Sequence, residues 1–321
     1  MPPSGPGGPP RGPEGGAPPL FARGVGDLLD AAITLYRSHW KLYIGITAIV
    51  LGPFLLLQAI AVQAAVGPVG ELNSTLGGRF GPGIQPTTTA LPGFIARIVG
   101  VAAVFGLLNL LIVLPFLAAA TARATAQIYL GSEPTVGDVY RFALSKLGSV
   151  LWVTILTGLI WLGLILGVGV VLAIVTFVLP SPFDGLLGGL IGLAAFVGFV
   201  IVFIRLVFGT TTVVVEDRRG VDAIKRSWEL SAGFFWKILG MSILAGILTV
   251  IAAFIVRIPF SVLGRVLGGA GWFVEGLGQA ASQVVVNPFS LIIIVLLYFD
   301  MRIRQEAFDL TLMAQELQRP V

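Results

Sequence analysis

The chain has no cysteine and a single histidine, His39. Without thiols it can form no disulfide, no thiolate metal site and no thiol nucleophile. One histidine cannot build a multi-histidine metal centre, so no metal or cofactor site is expected. Charge is the next shortage. Only 11% of the 321 residues are charged, against about 25% in a soluble domain. Hydrophobic residues make up 56%, and the mean hydropathy is +0.97. A water-facing fold of this size cannot hide so much apolar surface, and its natural solvent is lipid. The net charge of +4 is too small to imply a nucleic-acid partner.

What is abundant comes next. The basic residues are 16 Arg and 4 Lys, beside 42 Gly and 20 Pro, a composition that resembles a GC-rich bacterial genome. Residues 1–19 hold 8 Pro and 6 Gly and no apolar core. They read as a disordered cytoplasmic tail over residues 1–20 rather than a signal peptide. A membrane domain is expected over 21–300 and a cytoplasmic amphipathic helix over 301–321.

A helix crosses about 30 Å of hydrocarbon in about 20 residues. Six apolar runs qualify: Trp40–Val66, Phe94–Thr121, Val150–Leu179, Leu186–Ile204, Phe234–Val256 and a short Val284–Phe299. The expected fold is therefore all-α and polytopic, with both termini on one side. Basic residues decide which side. The segments flanking the runs on the terminal side hold 16 of them, and the opposite side holds Arg79, Arg97, Arg257 and Arg265. Both termini are thus expected in the cytoplasm and the chain in the cell membrane. On the far side, 67–93 reads as irregular, 181–184 as a tight turn, and 257–283 as an amphipathic segment on the interface.

Three cytoplasmic segments look alike. They begin Gly26-Asp27-Leu28, Gly137-Asp138-Val139 and Gly220-Val221-Asp222. Each offers an Asp that can cap a helix, and Thr135 and Asp138 have the spacing of a capping box. An amphipathic stretch and a membrane run follow each time. The pattern predicts a possible threefold repeat of an interfacial helix and a two-span hairpin. In the third, Val221, Ile224, Trp228 and Phe235 share one apolar face, expected to sink into the acyl boundary. Arg37, Lys41, Arg141, Arg218, Arg219, Lys225 and Arg226 are the candidate contacts to anionic lipid of the inner leaflet.

Intramembrane polar groups are the usual clue to function. No Asp, Glu, Lys or His lies deep in any run, which argues against a proton-coupled carrier. The candidates are Asn109, followed six residues on by Pro115, Arg205 at the inner end of the fourth run, and Asn287-Pro288 in the sixth. Asn109 and Asn287 are read as interhelical hydrogen bonding or as a broken helix along a substrate path. Arg205 is read as snorkelling to headgroups or meeting a substrate anion. Gly163-x-x-x-Gly167 and Gly188-x-x-x-Gly192 have the spacing of helix-packing motifs. Gly276-x-Gly278-x-x-Ala281 superficially matches a dinucleotide loop but has no strand before it.

The Gly26-Asp27-Leu28-Leu29-Asp30-Ala31 start, the Arg226-Ser227-Trp228 segment and the Tyr298-Phe299-Asp300-Met301-Arg302 ending resemble bacterial proteins grouped with the glycerophosphoryl diester phosphodiesterase membrane domain. The resemblance covers about residues 20–317 and implies a membrane domain without the appended phosphodiesterase. That domain needs a barrel of about 250 residues and paired histidines, and the chain has room for neither. No catalytic residue is carried over.

The expected function is a non-enzymatic anchor or assembly factor in the cell envelope. Its partners would be membrane lipids and other envelope membrane proteins. The rivals are a transporter or lipid translocator with a midplane polar site, and an enzyme acting on lipid head groups through Asp27, Asp30, Asp138 or Asp222. The sequence sets no oligomeric state.

Overall fold

A computed structural model describes residues 24–77, 90–178 and 183–306. The expected 1–20 tail, the outer part of the first far-side connection and residues 307–321 of the expected C-terminal helix lie outside them. The elements are α1 (Val25–Ser38), α2 (Trp40–Gly77), α3 (Ala90–Leu108), a π turn (Asn109–Val113), α4 (Leu114–Tyr129) and α5 (Val136–Val178). After these come α6 (Phe183–Leu206), α7 (Gly209–Glu216), α8 (Val221–Leu230), α9 (Phe235–Val266), a 3-10 turn (Gly268–Ala270) and α10 (Gly271–Glu306). There is no strand among the described residues. Six helical stretches are long and apolar enough to cross a membrane. The chain is a multi-pass α-helical membrane protein. Helix is what lipid demands of Val-, Ile- and Gly-rich segments, because each backbone group must bond within its own segment.

Several boundaries differ from expectation. Helix α2 runs on to Gly77, so 67–77 is helical. The segment 257–283 is no separate interfacial piece: α9 and α10 continue through it and turn at Leu267–Ala270. Helix α10 is 36 residues long, far beyond Val284–Phe299. The expected repeat is uneven. Helices α1 and α8 are separate lead-in helices, but the middle one is fused into α5, a single helix of 43 residues. There one arm of the expected box forms: the Asp138 amide donates to Thr135 Oγ1 at 3.3 Å, and the Thr135 hydroxyl donates to the Asp138 carboxylate at 2.6 Å. The Gly24 amide donates to Asp27 at 3.0 Å, whereas α8 has no side-chain cap bond. Helix α8 leaves part of its expected lipid-side face open and buries another against the protein. Ala223, Ser227 and Leu230 pack inward, while Val221 and Trp228 are exposed.

Prolines shape the spans. Pro115 has no N–H and its ring crowds the carbonyl four residues back, and the helix widens there into the π turn Asn109–Val113. Pro288 likewise frees the Val284 carbonyl. Thr47 Oγ1 of α2 donates to it at 2.9 Å, and the Tyr36 hydroxyl donates to the Val285 carbonyl at 2.8 Å. The kink in α10 is thus the point where α1 and α2 dock.

The core sits at one end of the bundle, around α4 and α10. Exposed Trp40, Trp152, Trp228 and Trp236 ring this end, as an aromatic belt does at a membrane interface.

Candidate functional site

The packed end carries an ion and hydrogen-bond network built from distant segments. Glu216, the last residue of α7, is its hub. Arg226 of α8 holds it through two nitrogens, Nε at 2.9 Å and Nη2 at 3.1 Å. Arg218 Nε donates to it at 3.0 Å, the Tyr298 hydroxyl at 2.5 Å, and Arg302 Nε stands 3.6 Å away. Arg226 also reaches Glu306, which Arg302 holds at 3.0 Å. A second centre is Asp300, only 2% exposed, bound by Lys237 Nζ at 2.5 Å and Arg304 Nε at 3.0 Å. Lys146 of α5 reaches Asp217 at 2.5 Å. Gln305 Nε2 donates to the Leu230 and Ala232 carbonyls, at 3.0 and 3.1 Å.

Burial alone would push the Arg226 guanidinium down. The hydrogen bonds and charges of Glu216 and Glu306 outweigh it, and the net shift is upward. The Lys146 hydrogen bond holds the Asp217 carboxyl below its ordinary range.

Ser227 braces the break in the fourth span, where α6 stops at Leu206 and α7 starts at Gly209. Its hydroxyl donates to the Arg205 carbonyl at 2.7 Å and accepts from the Phe208 amide at 3.1 Å. Thr212 Oγ1 ties α7 to the Ala223 carbonyl at 3.3 Å. Gly220 turns the chain into α8 with φ +56°. A Cβ there would stand 3.0 Å from the Trp152 ring, so the position requires glycine.

The residues singled out by sequence fare differently. Asn109 opens the π turn, and its Oδ1 is buried without a partner. Asn287 Nδ2 donates to Gln283 Oε1 of its own helix at 3.0 Å, so its bond is not the interhelical one expected. Arg205 does not snorkel freely. Its guanidinium lies over the Trp228 ring at 5.2 Å, and Nη1 donates to the Trp228 carbonyl at 3.2 Å. Among the described residues, no hydrogen bond joins any two of the three.

Among the basic candidates, Arg37, Lys41, Arg141 and Lys225 are exposed and free of ion pairs among the described residues. Arg218 and Arg219 pair with Glu216 and Asp217. Arg226 is a correction: its side chain is 12% exposed and engaged inside the network, so it does not face lipid.

Sequence reasoning missed the hub. Glu216, Lys237, Ser227, Tyr298, Asp300 and Arg302 went unnamed as a site. The available signals were the i,i+4 pairs Asp300–Arg304 and Arg302–Glu306 and the two short motifs that contain most of these residues. The carboxylates are held by cations, and the Tyr298 hydroxyl donates a hydrogen bond to Glu216. The arrangement links α5, α7, α8, α9 and α10. Among the described residues no group of three His, Asp or Glu stands close enough to hold a metal.

A cleft of about 430 Å³ lies on the membrane side of the network. The π turn meets it through Leu110, α5 through Thr154, Thr157 and Trp161, and the start of α7 through Gly209 and Thr210.

A family model described as a domain of unknown function, DUF7847, matches residues 45–300. No curated protein and no solved structure matches the chain.

Proposed function

The chain belongs to the DUF7847 family, whose description names no function, and we propose from its geometry that it is a non-enzymatic anchor or assembly factor of the cell envelope. It sits in the plasma membrane with both termini in the cytoplasm. The observation that carries this reading is the Glu216 and Asp300 network. It ties α5, α7, α8, α9 and α10 into one platform at the charge-rich end. Exposed Arg37, Lys41, Arg141 and Lys225 lie outside that network and are free to meet anionic headgroups. Of the polar groups that a translocator would gather at the midplane, Arg205 and Asn287 make local contacts.

Affinity purification of the full chain in mild detergent, with proteins and lipids both identified, tests this. The expected result is a reproducible membrane-protein partner in fixed ratio, lost when Glu216→Ala loosens the platform. Vesicles holding the purified chain should move neither a fluorescent lipid nor ions. Transport in that assay, or hydrolysis of a lipid headgroup, would overturn the proposal.

A further inference from the structure

We propose that the cleft between the π turn, α5 and the α6–α7 break binds one chain of an amphiphilic lipid, with the lipid's ester or hydroxyl region held by Thr157 and Thr210. This goes beyond the anchor role.

Size is the first ground. The 430 Å³ of the cleft lies within the roughly 300–1,000 Å³ of small-molecule sites. Polarity is the second, because it is graded along the cleft. Thr154, Thr157 and Thr210 lie toward the charged network, and Trp161, Leu162 and Ile165 lie toward the membrane interior. From Thr154 to Ile165 the helix rises about 16 Å at about 1.5 Å per residue. The order is that of a lipid, polar group first and hydrocarbon after.

Hydroxyl bonding is the third ground. In apolar helices a threonine ordinarily donates to a carbonyl one turn back. Thr154, Thr176 and Thr249 do so, at 2.6–2.9 Å. The Thr157 and Thr210 side chains make no hydrogen bond among the described residues; buried Thr121 and Thr211 make none either, but of these four only Thr157 and Thr210 line the cleft. Their donors are open to a ligand oxygen.

The cleft also persists for physical reasons. The π turn sets the path of the second span, and Ser227 braces the break in the fourth. Gly158 leaves open space beside it. Leu110, Leu162 and Ile165 are exposed, so the cleft opens sideways, and a lipid enters by lateral diffusion. No charged side chain lines it. Selection therefore falls on the chain and its linkage rather than on the headgroup.

The test uses the full chain in vesicles of phosphatidylethanolamine and phosphatidylglycerol, doped with a phosphatidylglycerol bearing a diazirine in one acyl chain. After irradiation, adducts are mapped by peptide. Labelling at 153–165 and 206–210 should exceed that at the equally exposed Leu187, Leu190 and Phe196 of α6 by about tenfold, the ratio set by about 1.4 kcal/mol. Gly158→Leu fills the open space and should erase the excess while leaving thermal unfolding in place. Thr157→Val with Thr210→Val keeps the shape and should cut the excess to about a fifth, as expected from losing weak single hydrogen bonds. This second variant decides the matter if Gly158→Leu fails to fold. Loss with Gly158→Leu alone keeps the chain site and overturns the threonine contact. Even labelling along α5 and α6, or an excess surviving both variants, overturns the proposal.

Discussion

Hairpins α5–α6 and α9–α10 are built from the same materials and packed in opposite ways. Both are long, apolar and rich in glycine. Of the most apolar 18-residue window, 67% is buried in α10 and 17% in α9, against 0% in α5 and 6% in the span formed by α6 and α7. The glycines tell the same story. A Cβ on Gly271 would meet the Gly264 carbonyl at 2.1 Å, and one on Gly278 would meet Phe260 at 2.5 Å. On α5 and α6, Gly163, Gly167 and Gly192 have nothing within 4 Å, and Gly188 meets only Leu172 at 3.9 Å. In lipid, apolarity gives no reason for two helices to touch, and small residues and polar hooks supply it. Helix α10 has the hooks: Thr47 and Tyr36 on its backbone, Ser290 against Thr249 at 2.8 Å, and Asp300 on Lys237. Along the outer parts of α5 and α6, the stacked pair Trp161–Phe199 is the main cross-link.

Removing hooks should break the contrast, and Asp300 should matter most. Asp300→Ala leaves Lys237 and Arg304 without their shared carboxylate. Losing one partner of a buried pair costs about 3–5 kcal/mol, so unfolding in detergent should shift to clearly lower temperature. Gly278→Val should follow, at about 1–3 kcal/mol for overpacking, because the added carbons meet the Phe260 Cβ in the helix crossing. Thr47→Val should cost about 1–3 kcal/mol by leaving the buried Val284 carbonyl unpaired. Both variants are checked by thermal melts followed by size-exclusion chromatography.

The sequence made some of this legible and hid the rest for a physical reason. Span number follows from run length and hydropathy, which are local, and all six runs became helices. The Thr135–Asp138 contact is local too. The hub is not. Glu216 meets Tyr298 across 82 positions, and nothing near Glu216 in the chain announces that partner. Arg226 falls off the expected apolar face of α8, and by sequence that position points it to lipid headgroups. That helix turns Ala223, Ser227 and Leu230 to the protein and leaves Val221 and Trp228 exposed. Polar residues in the spans were visible, but where each side chain aims was not. Asn287 could as well have reached across as along its own helix.

Glycine spacing was the least decisive signal. Gly163-x-x-x-Gly167 and Gly188-x-x-x-Gly192 have the packing spacing and are bare within the chain, whereas Gly276-x-Gly278, set aside as a poor loop motif, sits in the tightest crossing. That difference gives the smallest expected effect and the sharpest check on the comparison. Gly163→Leu together with Gly192→Leu adds side chains only to open space and removes two weak helix formers. Stability of the single chain should change by no more than about 0.5 kcal/mol, the usual range of a surface substitution. The measurement is the same melt used for Gly278→Val. A large loss would mean that α5 and α6 are held by contacts the bare glycines do not reveal. An unchanged melt beside a collapsed Gly278→Val would show that position in the bundle, rather than glycine spacing, decides which stripe carries the fold.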